Sequence, residues 1–367
     1  MIDDRLGALR ALMSERGYDA VLVRNVSDLR WLTGAVRVFD EERAHDALVT
    51  ATQAWIHTDG RYFGALTAQI DAAIWKADQD NVSHAQWIAQ RVLASGVRVM
   101  AIEDTLALGT YEDMRWQLNQ SSVACLMPRM HDDLARLRMK KDAGELEALR
   151  GAQRITDAAF AHMRDFVRAG MTELAIRAEL ESYMLSHGAD GLAFDSIIAS
   201  GPNGANPHAR PSARVVEEGD LVVMDFGASL NDYRSDMTRT VCVGEPTVRQ
   251  RTAYDAVRRA NETCAAAARP GMLGRELHEL AALSLEEAGF GRNFTHGLGH
   301  GVGIDIHELP AVGKRGDLPI EEGCVFTIEP GVYLPGEFGI RLEDCGVMTA
   351  QGYEPFTESP HELICVG

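Results

Sequence analysis

The first part of the chain alternates short apolar runs with polar stretches of helical periodicity. Apolar residues at helical spacing predict helices over 3–16 and near 60–70, 81–95 and 109–120. Short β-rich runs predict strands at 19–23, 47–50, 54–58, 97–102 and 123–127. Helices that alternate with short strands are typical of a sheet covered by helices, so we expect an α/β domain here.

The second part of the chain has a different construction. A long helical pattern over 133–168 opens it, and a hairpin, further helices and a second hairpin are predicted to follow. Glycine is also concentrated here, since only 8 of the 34 glycines lie in residues 1–150. We therefore place the domain junction at the start of the long helix, which predicts domains over 1–133 and 134–367.

An internal repeat runs through this second domain. Gly170-Met171 opens a helical stretch that ends at Gly188, and Gly271-Met272 opens another that ends at Gly289. The match continues in EEGDLVVMDFG (217–227) and EEGCVFTIEPG (321–331), which lie 104 residues apart. Two agreements in the same order favour a duplication, so we expect two similar halves.

Composition and charge exclude some classes of protein. Apolar residues make up 46% of the chain and charged residues 25%, which is typical of a folded globular protein. The formal net charge of −18 argues against nucleic acid or an anionic membrane as partner, because both require a basic surface. Residues 141–367 carry 35 of the 54 acidic residues, so the excess lies in the second domain.

The cysteines and the N-terminus bear on location. None of the six cysteines forms a CxxC pair, which favours scattered reduced thiols. Residues 1–17 lack the apolar core of a secretory signal, and the chain has no apolar run of about 18 residues that could span a membrane. We expect a cytoplasmic protein without a membrane partner.

Four carboxylates stand at related positions of the repeat. Asp225 and Glu329 each end an apolar strand, where a carboxylate is unfavourable unless it is paired or binds a cation. Asp236 and Glu343 follow them on what we predict to be the returning strands of the two hairpins. Four carboxylates gathered in one place would repel each other, and divalent metal ions would relieve that repulsion.

Histidines strengthen the expectation of a metal site. Three of the 12 histidines fall in the window His296–His307, whose alternate glycines favour a loop of close backbone approach. One of them together with the four carboxylates would form an oxygen-rich site, which favours Mn²⁺ or a similar hard divalent ion. Four or more bridging ligands suit a pair of ions that activate water.

At these residues the sequence resembles the "pita-bread" metallopeptidase family of methionine aminopeptidase, aminopeptidase P and prolidase. The matching motifs occur in family order and are VVMDFGA (222–228), YRSDMTRT (233–240), HGLGHGVGIDIHELP (296–310), TIEPGVY (327–333) and GIRLEDCGV (339–347). The resemblance implies an α+β C-terminal pita-bread domain with an internal pseudo-twofold repeat.

Residue-by-residue transfer from the family implies a set of metal ligands. They are Asp225, Asp236, His300, Glu329 and Glu343. The set would hold two divalent ions, of which Mn²⁺ is expected, with Co²⁺ and Zn²⁺ as alternatives. In the family, the residue that matches Glu329 also shuttles a proton.

The resemblance also implies roles around the metals. His208 and His307 match histidines that contact the scissile carbonyl and the substrate, and His296 matches a histidine that lines the substrate pocket. Arg341 and Tyr333 match groups that anchor substrate or relay protons.

The first domain resembles the α/β N-terminal creatinase-like domain of the creatinase, prolidase and aminopeptidase P branch. The matching segments are DLRWLTG (28–34) and HTDGRY (57–62). The chain departs from the family after Gly34, where AVRVFDEERAHD replaces a run of small residues. The presence of this domain argues against methionine aminopeptidase, which usually lacks it.

The expected function is hydrolysis of the bond between an N-terminal residue and proline in short peptides. Whether the enzyme is a dipeptidase or an aminopeptidase stays open, and a homodimer is expected from the family. Two alternatives remain at this point. One is a small-molecule C–N hydrolase on the creatinase fold, and the other is an inactive pita-bread module that binds proteins.

Overall fold

The computed structural model describes residues 2–40, 42, 44–122 and 124–367. The chain forms two compact units, and the division falls between Arg138 and Met139. The sequence places it at 133/134, and the difference is one short helix, Asp133–Arg138. That helix is tied to the first unit by a buried ion pair of 2.8 Å between Arg138 Nη1 and Asp28 Oδ1.

The first unit is an α/β structure around a five-stranded sheet. Its helices are α1 (Ile2–Arg16), α2 (Val26–Thr33), α3 (Phe63–Thr67), α4 (His84–Ser95), α5 (Leu108–Gln120) and α6 (Asp133–Arg138). Its strands are β1 (Ala20–Val23), β2 (Asp46–Thr50), β3 (Ala54–His57), β4 (Trp75–Asp78) and β5 (Met100–Ala101). The strand order is β4-β3-β2-β1-β5, and one core of this unit packs the fully buried Trp87 with residues of β1, β2 and α5.

Two sequence predictions in this unit are wrong or too long. The strand predicted over 123–127 is only an isolated bridge between Leu126 and Val99, and Val123 lies outside the described residues. Leu126 is 70% exposed, so its apolar neighbourhood does not mark a buried strand. The strand predicted over 97–102 shortens to Met100–Ala101, whereas β4 and α2 form without having been predicted.

The second unit contains four long helices and fourteen short strands in the part of the chain that the structure describes. Its helices are α7 (Ala143–Phe166), α8 (Glu173–Ser186), α9 (Val248–Ala267) and α10 (Gly274–Glu287). Strands of the first half are β6 (Gly191–Leu192), β7 (Ile197–Ser200), β8 (Leu221–Phe226), β9 (Ala228–Leu230), β10 (Tyr233–Arg234) and β11 (Met237–Val243). Strands of the second half are β12 (Gly299–Gly301), β13 (Glu308–Val312), β14 (Val325–Ile328), β15 (Gly331–Leu334), β16 (Phe338–Arg341), β17 (Asp344–Thr349), β18 (Gly352–Pro355) and β19 (Ile364–Val366).

The helical pattern over 133–168 is interrupted between α6 and α7. Lys140 forms a bridge with Cys324, and Asp142 caps the new helix. The Asp142 side chain accepts from the backbone N of Glu145, and Glu145 accepts from the backbone N of Asp142 in return. This reciprocal capping box begins a helix at residue 143 even though the apolar spacing continues through the break.

The predicted repeat is confirmed by the order of elements. Each half contains two helices followed by three antiparallel strands that correspond: α7, α8, β7, β8 and β11, then α9, α10, β12, β14 and β17. The second helix has 14 residues in both halves. The two sheets have the orders β19-β11-β8-β7 and β13-β12-β14-β17-β18, so β8 and β14 occupy matching central places.

The repeat brings four acidic residues to matching strand ends. Asp225 lies in β8 opposite Thr238 of β11, and Asp236 directly precedes β11. Glu329 directly follows β14, whose last residue pairs with Asp344, and Glu343 directly precedes β17. Apolar packing behind the strands holds these ends in place, with Phe226 and Phe326 fully buried.

No helix in the described residues combines the length and the apolar character that a membrane span requires.

Candidate metal centre

One cavity of about 410 Å³ in the second unit gathers nearly all the residues that the sequence analysis selected. Nine of the ten line it: His208, Asp225, Asp236, His296, His300, His307, Glu329, Arg341 and Glu343. The tenth, Tyr333, is buried beside the cavity and reaches Arg341 and His296 through its hydroxyl.

Three of the predicted ligands form a tight donor cluster. Asp236, His300 and Glu343 each offer a ligand atom within 4.8 Å of the other two, the only such group among the described residues. His300 Nε2 lies 3.5 Å from Asp236 Oδ2 and 3.3 Å from Glu329 Oε1. The fourth carboxylate, Asp225, faces the same cavity. Four carboxylates and one imidazole suit hard or borderline divalent ions.

Hydrogen bonds direct the His300 ring towards this cluster. His300 Nδ1 lies 3.1 Å from the carbonyl oxygen of Gly301, so this nitrogen carries the proton and donates. Nε2 is then left with its lone pair towards the carboxylates, the arrangement usual for metal-binding histidines. Thr327 Oγ1 accepts from the His300 backbone and donates to Glu329 at 3.3 Å, which orders both predicted ligands.

Three carboxylates of the cavity, Asp236, Glu329 and Glu343, have strongly raised pKa values. Burial, followed by the negative charges of Glu343 and Asp225, raises the pKa of Asp236 well above its ordinary value. The pKa of Glu343 is raised in the same way. Burial also raises the pKa of Glu329, to about 8, and lowers the pKa of His300 to about 4. This cluster of buried acids beside a neutral imidazole fits divalent cations, which would offset the mutual repulsion of the acids.

Arg341 connects the cluster to its surroundings. Its side chain is only 4% exposed, and Nη2 lies 2.5 Å from Asp225 Oδ2. Its Nε donates to Thr238 Oγ1 at 3.0 Å, and the Thr238 hydroxyl donates in turn to Glu343 Oε2 at 2.7 Å. One guanidinium therefore orients a carboxylate from each half of the repeat, directly in one case and through a hydroxyl in the other.

Tyr333 and His296 extend this network to one wall of the cavity. Arg341 Nη1 donates to the Tyr333 hydroxyl at 2.8 Å, and that hydroxyl lies 2.9 Å from His296 Nε2. His296 Nδ1 is 2.7 Å from the Gly297 carbonyl oxygen, so Nδ1 donates and Nε2 accepts from Tyr333. Burial lowers the pKa of His296 to about 4, which keeps this ring neutral.

The two outer histidines lie at the open side of the cavity. His208 and His307 are both exposed, and the His307 ring centre lies 4.3 Å from that of His300. The segment carrying His208 is fixed by Arg341, whose Nη1 also donates to the Pro207 carbonyl oxygen at 3.3 Å. Both rings can therefore contact a ligand that enters from solvent.

Two glycines permit the close approach of strands around the cluster. A Cβ on Gly299 would clash with the Thr327 carbonyl oxygen, and one on Gly227 would clash with the Ser235 carbonyl oxygen. Gly299 directly precedes His300, and Ser235 directly precedes Asp236. The absence of a Cβ at the two glycines is therefore needed to bring these predicted ligands together.

Comparison with known families decides the identity of the fold. The pattern that defines Metallopeptidase family M24 matches residues 147–350, and the Creatinase/Prolidase N-terminal domain matches residues 5–140. The chain belongs to metallopeptidase family M24. The two-domain organisation of a creatinase-like α/β domain followed by a pita-bread domain is thereby confirmed.

Several known proteins are similar to this chain along nearly its whole length. An uncharacterised peptidase of Bacillus subtilis, YqhT, is 35% identical over 361 residues, which are 98% of this chain and 99% of the relative. The structure of an Xaa-Pro dipeptidase from Bacillus anthracis covers 100% of both chains at 34% identity, with a TM-score of 0.93. That of an X-Pro aminopeptidase from Thermotoga maritima covers 96% of this chain and 99% of its own at 34% identity, with a TM-score of 0.87.

Sequence reasoning about this M24 site missed residues that the structure places beside the ligands. Thr238 could have been found, because side chains alternate along a strand and it follows Asp236 by two positions. Phe194 and Asp195 line the cavity from the loop between β6 and β7, where no periodic signal marks them. Ile306 also lines it, although its motif was recognised through the neighbouring His307.

Proposed function

We propose that this chain is a metal-dependent exopeptidase that hydrolyses the bond between an N-terminal residue and proline in short peptides. The observation that carries the proposal is the convergence of four carboxylates and His300 in one cavity of an M24 fold. Whole-chain similarity to an Xaa-Pro dipeptidase and an X-Pro aminopeptidase supports proline peptides as the substrate class.

We propose Asp225, Asp236, His300, Glu329 and Glu343 as the ligands of two divalent ions. Their oxygen-rich composition favours Mn²⁺, with Co²⁺ and Zn²⁺ as alternatives. When bound, such ions polarise a peptide carbonyl and lower the pKa of water. Arg341 contributes by holding Asp225 and, through Thr238, Glu343 in fixed orientations.

Glu329 is the proposed acid–base group. Its carboxylate lines the cavity and lies 3.3 Å from His300 Nε2, so an oxygen that is not bound to an ion could take up a proton from water and release it. Hydrolysis before proline requires that the departing nitrogen be protonated. Glu329 can deliver that proton, because it lines the cavity that receives the peptide.

Histidines on the cavity wall are the proposed substrate contacts. His208 and His307, at the open side, can donate to the carbonyl oxygen as negative charge develops on it. His296, held neutral by burial and oriented by Tyr333, lines the wall beside them. Together they would position the peptide against Glu329.

Neither alternative from the sequence is favoured. An inactive protein-binding module would not need to keep all five predicted ligands in one cavity. A C–N hydrolase of small molecules is not favoured, because the two similar structures named above are of an Xaa-Pro dipeptidase and an X-Pro aminopeptidase.

A peptide panel tests the proposed function. Purified protein with added Mn²⁺ is given Xaa-Pro, Xaa-Pro-Yaa and Xaa-Ala-Yaa peptides, and the released N-terminal residue is quantified. We expect cleavage only before proline, with Xaa-Pro alone indicating a dipeptidase. Cleavage of no proline peptide would refute the proposal. Glu343→Gln should be inactive, whereas the exposed Glu354→Gln, on β18 of the same sheet, should match the wild type.

A further inference from the structure

Arg234, which has no part in the proposed mechanism, forms a bridge between two loops. It lies on the short strand β10, and its guanidinium is partly buried. Its Nε donates to the Ile304 carbonyl oxygen at 2.9 Å, and its Nη1 donates to the Ala193 carbonyl oxygen. Its backbone N also donates to the Gly303 carbonyl oxygen at 2.9 Å. One residue thus holds segments more than 100 positions apart in the sequence.

Both segments carry residues of the cavity wall. Ala193 directly precedes Phe194 and Asp195, which line the cavity from one side. Ile304 lies two residues before Ile306 and three before His307, which line it from another side. A shift of either carbonyl would therefore move side chains that face the substrate space.

The other end of the 302–308 segment has its own anchor. Glu308 Oε2 lies 2.9 Å from Lys141 Nζ, and both side chains are almost fully buried. Glu308 also accepts from the Asp305 backbone N at 2.9 Å. That anchor fixes the segment to the start of α7 but leaves Ala193 untouched. The hydrogen bonds described for Arg234 join the segment to the Phe194 loop.

We propose that Arg234 is a positioning residue that sets the distance between the Phe194–Asp195 wall and the Ile306–His307 wall, and thereby the fit of the bound peptide. The inference rests on the proposed function for its substrate. Arg234 does not line the cavity, so it acts through the two loops and not on the reacting atoms. A planar guanidinium can donate hydrogen bonds to two carbonyl oxygens that lie in different directions. An ammonium group on a lysine reaches both oxygens less easily, and an apolar side chain donates to neither.

Kinetics of Arg234→Met and Arg234→Lys test the inference. We expect Arg234→Met to raise KM for the best Xaa-Pro substrate by about tenfold and to change kcat by less than about threefold, because loosened walls weaken substrate binding. Arg234→Lys should fall between the wild type and Arg234→Met. Bound metal per chain should be unchanged. Arg154→Met, at an exposed arginine of α7, is the matched control and should leave KM unchanged.

Hydrogen–deuterium exchange gives a readout that does not depend on activity. In Arg234→Met, amides of 193–195 and 302–307 should exchange faster than in the wild type, while those of β8 and β14 should not. Unchanged KM with unchanged exchange would overturn the inference, as would a loss of kcat at constant KM. If the wild type cleaved no proline peptide, the proposed function would fail, and the exchange pattern would still decide whether Arg234 holds the walls together.

Discussion

A single guanidinium links the proposed ligands to the substrate wall. Arg341 contacts Asp225 directly, Glu343 through Thr238, and His296 through Tyr333. It is nearly fully buried, and although burial acts to lower its pKa, the surrounding groups, including Asp225, Glu329 and Glu343, together raise it above an already high value. Its charge is therefore permanent and partly balances the four acids. This buried charge is tolerated because Nε, Nη1 and Nη2 of the guanidinium each donate to an acceptor.

Tyr333→Phe tests this network at one atom. The change removes the hydroxyl that accepts from Arg341 Nη1 and donates to His296 Nε2, and hardly alters the packing volume. A hydrogen bond to a charged group contributes roughly 1.5–3 kcal/mol, so we expect kcat/KM to fall by about tenfold or more.

Metal content should stay at the wild-type level, because Tyr333 contacts none of the proposed ligands directly. Tyr254→Phe is the matched control, since that buried tyrosine of α9 donates to the His361 carbonyl oxygen in a different part of the fold. An equal loss in both variants would contradict a specific role for Tyr333.

At the level of secondary structure, the two repeated hairpins made the positions of the four acidic ligand candidates predictable. The acids at 225, 236, 329 and 343 were predictable because the repeat places two of them at matching strand ends and two on the returning strands. Thr238, Arg234 and Asp195 were not selected, because their roles depend on contacts between segments far apart in the chain. The break between α6 and α7 was missed because a capping box can begin a new helix without changing the apolar spacing.

Apolar content alone also misled the prediction of one strand. Residues 124–127 have the composition of a strand, but Leu126 is mostly exposed and pairs only through one bridge. By contrast, β2 and β3 were predicted closely because their runs are buried throughout and paired in register. The difference between β2 and β3 and residues 124–127 is whether the segment is buried in the sheet, which composition alone does not reveal.

Gly227→Ala tests whether the first hairpin must close tightly. Gly227 directly follows β8, which carries Asp225, and the new Cβ would clash with the carbonyl oxygen of Ser235, the residue before Asp236. We expect the free energy of unfolding to fall by about 3 kcal/mol, the upper range for an overpacked site, together with a loss of bound metal.

Gly191→Ala is the matched control for that change. This glycine lies in β6 of the same unit, and a Cβ on it would meet nothing within 4 Å. Its unfolding free energy should therefore stay within about 0.5 kcal/mol of the wild type. Equal stability of the two variants in denaturant unfolding would show that the hairpin tolerates a wider spacing.

Over the whole molecule, the unequal distribution of charge gains a partial explanation. The chain carries a net charge of −18, mostly from residues 141–367, and five of those acids line one cavity. Most of the other acids are exposed, as carboxylates usually are, whereas Glu145, Glu173 and Asp344 are buried. The six cysteines are free thiols in the structure. The homodimer and the cytoplasmic location stay predictions.

We propose that the carboxylate–histidine cluster binds the metal ions that hydrolysis before proline requires. The most direct measurement titrates chelator-treated protein with Mn²⁺ and follows bound metal and cleavage of an Xaa-Pro peptide in parallel. We predict that the metal-free protein is inactive and that its activity rises with the number of bound ions up to about two per chain. The Asp236→Asn variant should bind less metal and should gain no activity when Mn²⁺ is added. Full activity at zero bound metal, or in Asp236→Asn after chelation, would contradict the claim.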